Sequence, residues 1–297
     1  MRFTVVCCVL CIAASACGGE VVTEGKLQVL YLDGLGDPAR WGPAECTVEA
    51  ADKLKADGRP TLHLHIPVDH HGGEKKYPIG WPRMYLNLKK PEETGWADFE
   101  RFEFLIHATM SRPTPPKSAL NLQIQCPDKR NALHHNLAEI QLGKWARVSI
   151  PIRSIKDVEQ VARLGFNISE SNYKHGDVLD FHIGGFRLAR AAEFGVASLR
   201  VTAPVIYRDR PRLSVELEAV GPPGKVARGL PLAVYQDKHL VHRETLPVRR
   251  GVQTLGLDLG EAKLEVGRYT LVAFDEAPEQ RIEAPFRVVE SPWEDAK

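Results

Sequence analysis

The chain has 297 residues, of which 43% are hydrophobic, 26% charged and 7% aromatic, the balance of a globular protein with a packed core. This composition excludes collagen, coiled coils, disordered chains and polytopic membrane proteins. Lys and Arg number 39 against 38 Asp and Glu, so no net charge attracts phosphate polymers, and nucleic acid is not expected as a partner.

The first residues have the features of an export signal. Arg2 precedes an apolar run over residues 3–14 that is too short to span a bilayer as a mature helix. The sequence therefore predicts a signal peptide over residues 1–16. Ala14-Ser15-Ala16-Cys17 resembles the lipobox of bacterial lipoproteins, and the resemblance implies a lipid on Cys17 that anchors the chain to a membrane of the cell envelope. Leu is usual where Ala14 stands, so the alternative is simple cleavage before Cys17, which gives a periplasmic or secreted protein.

Residues 17–26 are expected to form an N-terminal tether, and a β-rich domain is predicted over residues 27–192. Its strands are predicted from short segments in which apolar and polar residues alternate between turn residues. They are residues 45–50, 60–68, 84–88, 102–109, 119–126, 145–151, 162–168 and 178–188. The best helical candidate, residues 155–164, is one or two turns long. An all-β fold, an antiparallel jelly roll of two sheets, fits this succession.

A second, smaller β-sandwich is predicted over residues 193–290, followed by a tail over 291–297. Its seven predicted strands are residues 198–204, 212–220, 231–236, 241–248, 253–259, 267–274 and 282–289. That number suits an immunoglobulin-like sandwich. Residues 267–271 resemble the G-x-Y-x-L entry to a late strand of such domains, which implies that the Tyr269 hydroxyl binds nearby backbone. With no chemical motif in it, this domain is expected to act as a spacer or to dock an envelope protein partner.

Two cysteines remain for an intramolecular bond if Cys17 carries lipid. Cys46 and Cys126 both lie in predicted strands, and an oxidising envelope compartment would permit a disulfide between them. The alternative is two separately buried thiols, because sequence does not show whether their α-carbons approach within about 7 Å.

Several residues have the chemistry of a sugar-binding surface. His63 and His65 share the polar face of their strand, as does Gln123 in another strand. A loop and the strand after it add aromatic rings and an arginine. The predicted carbohydrate-binding set is Tyr77, Trp81, Arg83, Tyr85, His63, His65 and Gln123. Sugar hydroxyls need converging neutral donors and acceptors beside an apolar ring, so we expect these side chains to meet in one groove. The alternatives are a solvated outer face and aromatic rings that cap the core.

Three stretches of the first domain carry a family resemblance. They are residues 32–41, which end at Trp41, residues 143–151 with Gly143-x-Trp145, and residues 176–188 with Asp180 and Gly184-Gly185. In this order the chain resembles the galactose-binding-like jelly-roll domains, the fold of many carbohydrate-binding modules and of the complex I intermediate-associated protein family. The resemblance implies this fold over about residues 27–190. Sugar recognition is common in the fold, but the fold alone does not imply it.

The resemblance also implies a structural calcium ion in some members. The residues that correspond to its ligands here would be Asp33 and Asp37 near the start of the domain and Asp180 in the last strand. Calcium takes six to eight oxygen ligands. The closing motif commonly has an aspartate where this chain has Gly184 or Gly185, so the alternative is that these aspartates are surface turn residues.

Other chemistry has weaker sequence signals. His63 and His65, or Asp69-His70-His71, could chelate a transition metal, but no third ligand is identifiable. H-E-x-x-H, G-x-S-x-G and P-loop motifs are absent from the sequence, and C-x-x-C is absent after the predicted signal peptide. Glu103, Glu139 and Glu170 would have to converge to act as paired acids of a glycosidase.

The sequence therefore favours an exported, non-catalytic protein that binds a glycan or polysaccharide, and predicts that it is a bacterial lipoprotein. One alternative is a glycoside hydrolase or polysaccharide lyase that uses the same groove. The other is a structural envelope protein without a small ligand.

Overall fold

The computed structural model of the chain describes residues 20–51, 53–72, 79–127, 129–223 and 229–293, in which regular structure is almost entirely β-strand. The predicted signal peptide, Cys17 and Tyr77 lie outside the described residues. The helices within these ranges are all too short, or too polar, to cross a bilayer. The chain divides into two compact units. The first contains Val29–Ala189, and the second contains Thr23–Gln28 and the described residues from Arg190 onwards.

Two sheets make up the first half of the chain. Its strands are β1 (Val21–Glu24), β2 (Leu27–Tyr31), β3 (Gly42–Ala44), β4 (Thr47–Ala50), β5 (Thr61–Pro67), β6 (Arg83–Asn87), β7 (Arg101–Met110), β8 (Asn121–Cys126), β9 (Lys129–Asn136), β10 (Trp145–Pro151), β11 (Arg163–Asn167) and β12 (Val178–Ala191), with one α-helical turn, α1 (Pro91–Thr94), among the described residues. Sheet I has the order β1-β2-β12-β5-β4, and β7 pairs with β12 and with β10. Sheet II has the order β3-β6-β11-β8-β9.

The two sheets enclose one hydrophobic core. Alternate residues of β5 and β12 in sheet I, and of β6, β8 and β11 in sheet II, belong to the same buried cluster. Phe104 of sheet I meets Phe166 of sheet II edge to face, with ring centroids 5.6 Å apart. Trp41 is also buried, and its indole N–H donates to the carbonyl oxygen of Leu35 at 2.9 Å. The ring of Trp41 therefore fills the core and is not part of a binding surface.

The predicted all-β class is confirmed, and each of the eight strands predicted in this half coincides with an observed strand to within a few residues. Strands β1, β2, β3 and β9 were not predicted. Residues 17–26 were expected to be a tether, but β1 adds to the edge of sheet I and Val21 packs against the core. The expected helical segment 155–164 is a turn that leads into β11, because Asp157 adopts a left-handed backbone conformation with φ 56°.

The predicted disulfide between Cys46 and Cys126 is wrong, because the two cysteines are not bonded to each other. The Cys46 thiol donates to the carbonyl oxygen of Arg83 at 3.3 Å, and burial raises its pKa. Sheet register places Arg83 level with Asn167, and Asn167 level with Asn121 at the start of β8. Cys126 is at the other end of β8, about 17 Å along the strand at about 3.3 Å per residue. A disulfide needs α-carbons within about 7 Å.

A second sandwich forms the rest of the chain. Its strands are β13 (Gly195–Val201), β14 (Val205–Tyr207), β15 (Arg212–Val220), β16 (Gly229–Gln236), β17 (His239–Pro247), β18 (Gly251–Asp258), β19 (Gly267–Ala273) and β20 (Ile282–Val289). Sheet III has the order β13-β15-β18, and sheet IV has the order β14-β20-β19-β16-β17. Buried residues of both sheets, such as Leu217 and Phe286, form one core. All seven predicted strands are present, and β14 was missed.

Tyr269 forms the corner that its motif predicted. Its hydroxyl donates to the carbonyl oxygen of Glu265 and accepts from the backbone N–H of the same residue, both at 2.9 Å. Tyr269→Phe would keep the stacked contact with Phe286 but leave two backbone groups without this partner. We expect a loss of about 1–2 kcal/mol in the free energy of unfolding. Urea unfolding followed by circular dichroism measures it.

The matched control is Tyr207→Phe, at a tyrosine of the same unit that is 37% exposed. This control should stay within about 0.5 kcal/mol of the parent chain. Equal effects of the two substitutions would show that the corner does not stabilise the unit.

Candidate functional site

The predicted sugar-binding residues lie on two different surfaces of the first sandwich. His63 and His65 belong to β5 in sheet I, whereas Arg83, Tyr85 and Gln123 belong to β6 and β8 in sheet II. The residues that alternate with them are buried in the core between the sheets: Leu62, Leu64, Ile66, Met84, Leu86, Leu122 and Ile124. Since successive side chains of a strand point to opposite faces, the polar residues of the two sheets point away from each other. The expected single groove is therefore wrong.

One surface combines aromatic rings with amides, and we call Trp81, Arg83, Tyr85, Gln123 and Asn167 the aromatic face. Trp81, Arg83 and Tyr85 are two residues apart, so they follow one side of β6 and its approach. Trp81 is 46% exposed, and its indole N–H donates to Oδ1 of Asn167 at 3.3 Å. The guanidinium of Arg83 lies 5.0 Å from the centre of the Trp81 ring. This contact and the hydrogen bond orient an accessible indole.

Tyr85 lies across a glycine of the neighbouring strand. A Cβ atom on Gly165 would be only 2.3 Å from two ring carbons of Tyr85, so the ring occupies the space that any other side chain would fill. The hydroxyl reaches over β11 and donates to Oε1 of Gln123 on β8 at 3.1 Å. Burial raises the pKa of Tyr85, so the phenol stays protonated and remains a donor at neutral pH. The guanidinium of Arg163 lies 5.6 Å from the ring centre.

Carboxylates fix the backbone that leads into the aromatic face. Oε2 of Glu45 accepts from the backbone N–H of Trp81 at 2.6 Å. The buried Glu170 accepts from the backbone N–H groups of Asp69 at 3.1 Å and of Gly80 at 3.0 Å. Glu170 therefore holds together the two ends of the segment that contains Tyr77, whose own position is outside the described residues.

The three acids considered as glycosidase residues have separate partners. Glu103 binds Arg187, Glu139 lies 3.8 Å from His135, and Glu170 accepts from backbone N–H groups. No contact among the described residues joins any two of them. Each carboxylate is therefore engaged by a different partner.

The other surface, on sheet I, carries a cluster that we call the imidazole face: His63, His65, His107, Asp180 and His182. Register places His63 beside His182 and His182 beside His107, while His65 is opposite Asp180. Oδ1 of Asp180 lies 2.7 Å from Nε2 of His63 and 2.8 Å from Nδ1 of His65. The rings of His63 and His182 stack with centroids 4.6 Å apart.

Sequence reasoning identified only part of this face. It assigned Asp180 to calcium and left His107 and His182 out of the predicted binding set, although both alternate with buried residues of their strands. That alternation was the available signal. What was missing was the register that brings three distant segments together.

Two groups of the imidazole face, Asp180 and His182, have shifted pKa values. Burial raises the pKa of Asp180, but hydrogen bonds from His65 and His63 outweigh it, so the pKa lies below the usual value. Burial and the neighbouring His63 and His107 lower the pKa of His182. His182 is therefore neutral at pH 7, the form in which imidazole binds metal ions. The Nδ1 atoms of His107 and His182 are buried and have no hydrogen-bond partner among the described residues.

The predicted calcium ligands are not brought together. Asp33 pairs with the guanidinium of Arg59 at 2.7 Å, and Asp37 accepts from the backbone N–H of Ala39 at 3.0 Å. Asp180 faces imidazole nitrogens, whereas calcium requires a shell of oxygens. Gly185, one of the two glycines where the family commonly has an aspartate, has φ 62°, a left-handed conformation within the bulge of β12. These residues do not fit a calcium site.

Comparison with known proteins gives no family assignment. No family model and no curated protein matches the chain. Among solved structures, it is similar to a low-affinity xylan-binding module from Roseburia intestinalis, with 12% identity, a TM-score of 0.29, and coverage of 55% of this chain and 95% of that one. It is also similar to the tandem carbohydrate-binding modules of a family 98 glycoside hydrolase from Streptococcus pneumoniae, with 8% identity, a TM-score of 0.29, and coverage of 78% and 90%.

A third similar structure is the glycoside hydrolase domain of Endo-D from Streptococcus pneumoniae, with 10% identity and a TM-score of 0.31. The match covers 83% of this chain but 36% of that one, so the chain spans about a third of its length. With identities and TM-scores this low, a function has to be argued from the residues of the two faces.

Proposed function

We propose that the chain is a non-catalytic glycan-binding protein and that the aromatic face of sheet II holds the sugar. Trp81 and Tyr85 are four residues apart on one side of β6 and its approach, a spacing of about 13 Å at about 3.3 Å per residue. Two rings at this distance can contact separate units of an extended polysaccharide. The amide of Gln123 and the guanidinium of Arg83 lie on the same face and can bind hydroxyls.

The observation that carries this proposal is the fixed position of Tyr85. An aromatic ring that is locked in place before the ligand arrives loses little conformational entropy on binding. The ring of Tyr85 is held by the absence of a side chain at Gly165 and by its hydrogen bond to Gln123.

Substitution of Gly165 tests the proposal. In Gly165→Val the new Cβ would overlap the Tyr85 ring at 2.3 Å, so the ring has to leave the sheet and lose its bond to Gln123. We expect glycan affinity to fall at least about tenfold, or about 1.4 kcal/mol. The ligand is first identified on a glycan array and by pull-down with insoluble polysaccharides, and the affinity is then measured by calorimetry.

The matched control is Gly256→Val, also in a strand, where an added Cβ meets no atom within 4 Å. This variant should bind like the parent chain. An array without any bound glycan, or equal affinities of the two glycine variants, would contradict the proposal.

We also propose that the chain is exported to the cell envelope and that lipid on Cys17 retains it there. The support is the sequence alone, the apolar leader followed by Ala14-Ser15-Ala16-Cys17. In bacteria expressing the chain, labelled fatty acid should be incorporated into the parent but not into Cys17→Ser. Secretion without label would instead indicate simple cleavage.

A further inference from the structure

The imidazole face takes no part in the proposed sugar binding, because it is on sheet I and the aromatic face is on sheet II. We propose that His63, His65 and Asp180 form a binding site for a divalent transition metal ion, with Zn²⁺ as its ligand. These three residues are half-buried side chains on two adjacent strands, β5 and β12.

The distances suit a metal ion. One ligand atom from each residue lies within 4.8 Å of the other two. Nε2 of His63 and Nδ1 of His65 both face Oδ1 of Asp180. Zinc binds such atoms at about 2.0–2.2 Å in tetrahedral geometry, which places neighbouring ligand atoms about 3.3 Å apart. The two nitrogens are 2.7 and 2.8 Å from Oδ1 of Asp180. An ion would lengthen each of these two distances by about half an ångström, which side-chain movement can supply.

The ligands stand on a rigid support that leaves them accessible. His65 and Asp180 are register partners across β5 and β12, and His63 is two residues along the same strand face. The side chains of His63, His65 and Asp180 are 29%, 37% and 28% exposed. An ion can reach them from solvent, and its remaining coordination position would be open to water or to another ligand.

The donor set selects the class of ion. Two imidazoles and one carboxylate favour zinc and similar transition metals, whereas calcium and magnesium prefer oxygen ligands alone. Each imidazole now directs one ring nitrogen at Asp180. Imidazole binds a metal ion through a ring nitrogen that offers its lone pair. His182, stacked on His63, limits the rotation of that ring.

The test is a calorimetric titration of the untagged full chain with ZnCl₂. We expect one Zn²⁺ per parent chain, and loss of this binding in His63→Ala/His65→Ala. Asp180→Asn keeps the side-chain shape but removes the anionic ligand, so its affinity should fall by at least about tenfold. Co²⁺ should give visible absorption bands typical of four or five ligands in the parent and not in the double variant.

A second histidine cluster supplies the control. His70 and His175 lie in loops with ring centroids 5.9 Å apart, and His70→Ala/His175→Ala should bind zinc like the parent. The inference is wrong if the parent binds no more zinc than His63→Ala/His65→Ala. It is also wrong if zinc binding is lost only in His70→Ala/His175→Ala. Thermal unfolding shows whether each variant is folded. If His63→Ala/His65→Ala does not fold, the zinc affinity of Asp180→Asn decides whether the site exists. Glycan binding should be unchanged in all of these variants, so failure of the metal site would leave the sugar proposal intact.

Discussion

Glu103→Gln is expected to lower the free energy of unfolding of the first unit by about 3 kcal/mol. The carboxylate of Glu103 is 5% exposed and accepts from Arg187 at 2.7 and 2.9 Å and from Ser149 at 3.1 Å. Arg101 and Arg147 approach it at 3.7 and 3.9 Å. One buried anion thus pairs with Arg187 and lies near two further guanidinium cations on the outer side of sheet I.

The expected loss comes mainly from the cations that the substitution leaves behind. The side chain of Arg187 is 12% exposed, so it is poorly hydrated once its counter-ion is gone. Burial lowers the pKa of Arg187, but the hydrogen bond and charge of Glu103 raise it by more, so Arg187 is charged in the folded chain. Removing one partner of a buried ion pair typically costs about 3–5 kcal/mol, and a neutral amide that keeps some hydrogen bonds falls at the lower end.

Tryptophan fluorescence during urea unfolding measures this effect. Trp41, Trp81, Trp96 and Trp145 lie in the first unit, and Trp293 lies in the second, so the signal reports mainly the first. The control is Glu49→Gln, at an exposed position of β4 in the same sheet, which should change stability by less than about 0.5 kcal/mol. Equal effects of the two substitutions would show that the arginine group does not depend on Glu103.

Much of the fold follows from the sequence because most strands of a sandwich are buried on one side. Residues 61–67 alternate between Leu or Ile and His, and they form β5 with the leucines in the core. Edge strands lack this signal. β3 contains Gly42 and Pro43, and β9 includes the polar His134 and His135, because an edge strand covers little of the core. The helical prediction for residues 155–164 was wrong because Asp157 forms a turn within a run that has helical spacing.

The candidate sites depend on pairings between distant strands, which no local pattern contains. His65 and Asp180 are 115 residues apart and meet only through the register of β5 and β12. Likewise, the sequence marks His63 and Tyr85 as outward-facing residues but does not show that their strands belong to opposite sheets. The sequence therefore predicted one shared groove, because it did not show which strands belong to the same sheet. Residue chemistry was predictable, whereas the division of the residues into two faces was not.

Trp81→Ala is expected to weaken glycan binding by about 1–3 kcal/mol, or about 5- to 150-fold in affinity. The reason is loss of an exposed aromatic surface on which a sugar ring can stack. Folding should change little, because Trp81 is 46% exposed and water can replace its hydrogen bond to Asn167. Trp81→Phe keeps a ring but not the indole N–H, so its affinity should lie between those of the parent and the alanine variant. Calorimetry with the glycan identified on the array measures all three.

The decisive comparison for Trp81→Ala is the same truncation on the opposite surface. Trp145 is half-buried on sheet I, with its ring centroid 5.5 Å from that of His107. If the sugar lies on sheet II, Trp145→Ala leaves the affinity unchanged even where it lowers stability. If Trp145→Ala abolishes binding and Trp81→Ala does not, the sugar lies on the imidazole face instead. Each variant removes one indole, so a difference in affinity between them depends on which sheet the sugar contacts and not on the loss of aromatic surface in general.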